Sequence, residues 1–122
     1  MSYRPPLHTL SVEQCDLLKL LAHTYLQYGS ADKAAVLLTA MHSLDSTDPH
    51  LVKSLAYAYL KSGRPHEAML LINPLIEQGS RAPELFLLRS QAYSQMGRVA
   101  DAARAMRHFV GARLEASQVE AS

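Results

Sequence analysis

The sequence predicts an all-α fold: three tandem helix–turn–helix units stacked as an α-solenoid. Three observations predict it. Glycine recurs every 34 residues, at Gly29, Gly63 and Gly97. Other positions keep the same phase: Tyr25, Tyr59 and Tyr93; Ala34, Ala68 and Ala102; the small residues Ala22, Ala56 and Ser90; the large apolar Leu38, Ile72 and Met106. Between the glycines the apolar residues fall three and four apart, the stripe of a packed helix. A period of roughly 20 to 50 residues marks an array whose units bury their faces on one another.

Each element has its own signals. Leu17, Leu18, Leu21, Ala22, Tyr25 and Leu26 form the first stripe, and Ser11 with Gln14 reads as a capping box that opens it. Gly29 ends it, because a residue without Cβ suits a left-handed helix end. Ala34, Ala35, Leu38 and Met41 carry the second helix. Asp48 then Pro49 supplies an N-cap and a first-turn proline for the third. Pro65 and Pro83 open the fourth and fifth likewise, since a first-turn proline lacks only a donor that had no partner. The predicted helices are 11–28, 31–43, 49–62, 65–78, 83–96 and 99–115. Residues 1–10, with Pro5 and Pro6, read as an extended N-terminal segment, 11–115 as the repeat domain and 116–122 as a fraying tail.

Small residues at Ala22, Ala56, Ala34, Ala68 and Ala102 let two helix backbones approach. The tyrosines and Leu38, Ile72 and Met106 then fill the space between neighbouring pairs. Tyr59 is expected between the second and third pairs.

Composition bounds the function. Twelve basic and eleven acidic residues leave a net charge of +1, which argues against a nucleic-acid footprint. No apolar run approaches the ~18 residues of a membrane span. The N-terminal stretch lacks the apolar core of a signal peptide, so the expected location is the cytoplasm. Cys15 is the single cysteine; it reads as a small apolar helix residue, and no internal disulfide is possible.

The periodic residues resemble the signature of the tetratricopeptide repeat: large apolar, small, tyrosine, glycine, alanine, large apolar, then proline at the next unit. The second unit fits best, with Leu55, Ala56, Tyr59, Gly63, Ala68 and Ile72, then Pro83. The first fits with Leu21, Ala22, Tyr25, Gly29, Ala34 and Leu38, then Pro49. The third departs at Arg89, where a leucine is usual, which puts the packing there in question. The resemblance spans residues 12–110. It implies a short right-handed superhelix and a binding function without catalysis or cofactor.

A narrower resemblance concerns the stretch GSADKAAVLLTAMHSLDSTDP at 29–49, together with size and short flanks. These look like the YscY-type chaperones of bacterial type III secretion systems. That resemblance implies a bacterial cytoplasmic chaperone. Its partner would be a small helical secreted protein of the YscX type, and it would associate with the export gate. The alternative is a structural assembly module that self-associates through exposed repeat ends, with a homodimer when alone.

The resemblance also implies which side chains face inward, from the first helix of each pair. These are Asp16, Lys19, His23, Leu26 and Gln27; His50, Lys53, Tyr57, Leu60 and Lys61; and Glu84, Leu87, Gln91, Ser94 and Gln95, with Leu88 alongside. The expected partner-binding set is Lys19, His23, Leu26, Lys53, Tyr57, Leu60, Lys61, Leu87, Leu88 and Gln91. For each apolar member two placements stay open, groove or neighbouring core. The carboxylate clamp of heat-shock-protein co-chaperones is disfavoured. Lys19 fits it, but His23 and Ser54 replace asparagines, and Glu84 and Leu88 replace cations. A carboxylate facing Glu84 would be repelled.

No H-E-x-x-H or cysteine–histidine set occurs among His8, His23, His42, His50, His66 and His108, so no metal is expected. The periodic glycines lie too far apart for a phosphate loop. Arg98, Arg104, Arg107 and Arg113 read as a solvated face softened by Asp101 and Glu115. The last pair, with Phe86, Met106, Phe109 and Val110, is expected to keep wet apolar surface. Too few residues follow it for a stable seventh helix.

Overall fold

The computed structural model describes residues 11–44 and 48–121. The extended segment expected at 1–10 lies outside the described residues, as does Ser122. Among the described residues six helices follow in order: α1 Val12–Gln27, α2 Ala31–Leu44, α3 Pro49–Lys61, α4 Pro65–Glu77, α5 Pro83–Gln95 and α6 Val99–Ala121. No strand occurs among the described residues. Each helix packs on the next, and α3 also touches α5, so first helices line up along one side.

The boundaries have local causes. At α1 the Gln14 backbone N–H donates to Ser11 Oγ at 3.1 Å. The Ser11 N–H donates in return to Gln14 Oε1 at 2.9 Å, closing the capping box. The His50 N–H donates to Asp48 Oδ1 at 3.0 Å, ahead of Pro49. Gly29, Gly63 and Gly97 have φ of 78°, 75° and 76°. That left-handed turn lets the next N–H fold back on the helix end. Ser30, Arg64 and Arg98 accordingly donate to the carbonyls of Tyr25, Tyr59 and Tyr93 at 2.8, 2.7 and 2.9 Å. The periodic tyrosine and glycine therefore belong to one capping device.

Two apolar clusters form the core. Ala22, Ala34, Ala35, Leu38 and Met41 meet Leu51, Leu55 and Ala58 of α3. Ala56, Leu60, Ala68, Met69 and Ile72 meet Leu85, Leu88 and Ala92 of α5. Tyr59 borders both clusters, and its hydroxyl lies 3.3 Å from Thr39 Oγ1 of α2. It thus joins all three pairs, where the second–third junction alone was expected. Arg64 and Arg98 stack over the rings of Tyr59 and Tyr93, 5.0 and 4.8 Å from their centres.

Arg89 finds a polar partner where a leucine is usual. Its Nη2 and Nε donate to Asn73 Oδ1 of α4 at 2.6 and 3.2 Å. Asn73 answers the substitution from the facing helix, so the packing in question is satisfied.

Helix α6 runs through 116–121, the segment expected to fray after a helix ending at 115. One reason is a bidentate contact. Arg81 Nη2 and Nε donate to Glu115 Oε1 and Oε2 at 2.8 and 3.3 Å, tying the last helix to the α4–α5 turn. The pairing holds the Glu115 carboxyl below the usual carboxylate range and raises the Arg81 guanidinium above its own. Of the last pair's apolar residues expected to leave some surface wet, Met106 and Val110 are exposed and Phe86 is buried. It lies under Arg81 and edge-on to the His108 ring at 5.7 Å.

Candidate functional site

The first helices α1, α3 and α5 line one concave side, and their residues 34 positions apart stand side by side. A groove of about 430 Å³ opens between His23, Leu26 and Gln27 of α1, Lys53, Ser54 and Tyr57 of α3, and Glu84, Leu87, Leu88 and Gln91 of α5. It continues toward the N-terminal end past Lys19, His50 and Ser54. Toward the other end it passes Lys61, Leu60, Ser94 and Gln95. All ten residues expected from the sequence border this continuous surface.

They do not contribute equally. Leu60 and Leu88 are buried in the second cluster and show the groove only an edge, so for these two the core placement applies. The physical reason is helix pitch, because each lies on the stripe that meets Ala68, Ile72 and Ala92. Leu26, Tyr57 and Leu87 form the accessible apolar floor, with Tyr57 the most open of the three.

The lysines differ as well. Lys19 Nζ lies 3.6 Å from Asp48 Oδ2, and Lys53 Nζ lies 3.7 Å from Glu84 Oε2. Lys61 has no carboxylate partner among the described residues, and its ammonium sits 5.5 Å from the Tyr57 ring centre. Only one end of the expected basic border therefore carries an uncompensated cation. The Lys53–Glu84 pair sets a carboxylate against the second lysine of the border, so that cation is compensated within the groove.

Ser54, which the partner-binding set omits, lines both halves of the groove. Its signal was its place at an inward position of the carboxylate clamp, where it stands for an asparagine. Gln95 reads as an inward side chain, yet its Nε2 donates to the Leu60 carbonyl at 2.9 Å and caps α3. A second recess, larger at about 750 Å³ and more polar, lies beside the turns, between Gly63, Pro65, His66 and Met69 of one repeat and Tyr93, Met96 and Arg98 of the next. Its lining comes from well-separated positions, which no single motif marks.

No group of histidine, cysteine, aspartate and glutamate side chains suited to a metal ion occurs among the described residues. No helix there is long and apolar enough to cross a membrane.

Paired helices stacked at a fixed period, with one concave wall built from the first helix of each pair, define a helical repeat array. The sequence pattern of the tetratricopeptide repeat matches residues 25–92, more than half of the 122. The chain belongs to the tetratricopeptide repeat family. That repeat suggests a protein-binding or scaffolding role. No curated protein matches the sequence.

Proposed function

We propose that this chain is a non-catalytic chaperone of a bacterial type III secretion system, similar to the YscY type. It would hold a small helical secreted partner, YscX-like, in the cytoplasm before export, and present it at the export gate. The observation that carries the reading is the groove itself. An apolar floor of Leu26, Tyr57 and Leu87 runs along three parallel helices with polar borders at His23, Lys61 and Gln91. An amphipathic helix laid along it would bury its apolar stripe on that floor, in helix-in-groove fashion. An aggregation-prone helix bound this way keeps its apolar face from water until release. The reading needs no cofactor, nucleic acid or membrane insertion.

The test is co-expression and co-purification with candidate small helical proteins of the YscX type. Tyr57→Asp with Leu87→Asp is expected to weaken capture at least about tenfold, as loss of central apolar anchors does. The melting temperature of the free chain should change little, because neither side chain belongs to the two core clusters. Retention of the partner at wild-type levels contradicts the reading.

A further inference from the structure

We propose that the two ends of this array are complementary, and that copies of the chain associate head to tail with α6 of one against α1 of the next. The template is repeated within the molecule. At the first junction Ala35, Leu38 and Met41 of α2 meet Leu51 and Leu55 of α3. At the second, Met69 and Ile72 of α4 meet Leu85 and Leu88 of α5. Both junctions are closed to water: Leu38 and Leu51 are 2% and 4% exposed.

One period beyond Met69 and Ile72, α6 places Ala103 and Met106, with Val110 a turn later. All three are exposed, and Arg107, one period beyond Asn73, is the charged residue that flanks them on the same face. One period before Leu51 and Leu55, α1 places Leu17 and Leu21, exposed at 66% and 41%. The described residues thus carry both halves of a third junction, unmated among themselves. The small residue is in register too, with Ala103 at the place of Ala35.

Charge favours a second copy over an unrelated apolar helix. The Asn73–Arg89 contact fixes the register of α4 against α5. Carried one period on, that register sets Arg113 at the level of the acidic start of α1, where Glu13 and Asp16 are exposed and in no ion pair among the described residues. Such a contact uses two different surfaces and does not close on itself, so mass should grow with concentration. This inference concerns the ends of the array and stands or falls separately from the groove.

The experiment is sedimentation equilibrium of the full chain across a concentration series, with helicity checked by circular dichroism. The wild type should exceed monomer mass and rise further with concentration. Met106→Asp and Leu17→Asp should each raise the dissociation constant at least about tenfold, with Val110→Asp as a second α6 variant. The decisive arm is a mixture. Met106→Asp retains an intact α1 face and Leu17→Asp an intact α6 face, so together they should form a heterodimer that grows no further. Tyr57→Asp, in the groove, should associate like the wild type. A wild type that stays monomeric up to about 1 mM overturns the proposal. So does self-association by either single variant at wild-type strength, or a mixture of monomers.

Discussion

Ile72 and Met106 hold the same place in successive repeats and meet opposite surroundings. Ile72 is 0% exposed, wedged between α4 and α5, whereas Met106 is 40% exposed on the last helix. The side chains are of similar size and character. What differs is the next unit: Ile72 is covered by the helix that follows it, and Met106 is covered by none among the described residues. In a repeat array the residue type is set by position in the unit, while burial is set by the neighbour.

The sharpest way to break this comparison is a pair of truncations. Ile72→Ala should destabilise the array by about 3–4 kcal/mol, because it opens a cavity in a closed junction. Met106→Ala, at the same repeat position, should cost less than about 1 kcal/mol. Against a total of roughly 5–15 kcal/mol, the first loss is large. Urea midpoints of the two variants, measured below any self-association, decide it. Equal losses would mean that burial does not follow the neighbour.

A smaller effect concerns how the open end is held. The last turns of α6 gain little from apolar burial and are tied instead by Arg81 and Glu115. The Glu115 carboxyl is held below its ordinary range, so its contribution is complete above that range and fades as pH falls through the folded value. The Arg81 guanidinium is raised, so its share is present at all lower pH and is lost only in strong alkali. Acid is therefore the side that loosens the contact. Wild type should show an acid loss of helicity that Glu115→Gln lacks, and added salt should mute it because both groups are exposed. Identical acid profiles for the two proteins would show that the pair does not hold α6.

The repeat made most of the fold legible in the sequence. The glycine period implied three turns with positive φ, and Ser11, Asp48 and the first-turn prolines implied helix starts that agree with the structure. Four particulars were not legible, and each depends on a tertiary partner. Arg89 looked like a packing defect because its acceptor, Asn73, sits on another helix. Residues 116–121 looked like a fraying tail because their composition is small and polar, and the anchor at Arg81 lies 34 residues away. Phe86 was grouped with the wet surface of the last pair because its cover comes from Arg81 and His108. Leu60 and Leu88 were open between groove and core. At the edge of a helical stripe, a small rotation of the helix decides which side wins.

The groove was more legible in location than in character. Counting from each glycine finds the wall, since inward positions recur with the period. It does not find that Asp48 and Glu84 engage two of the three lysines, because those contacts cross from one repeat to the next.

The central claim is that a protein partner lies along α1, α3 and α5. The most direct measurement is site-specific photo-crosslinking within the co-expressed complex, with the reactive residue at Tyr57 on the groove floor or at Leu70 on α4, an exposed position away from the groove lining. The account predicts a covalent product with the partner from position 57 and none from position 70. Capture from position 70 with none from position 57 would contradict it.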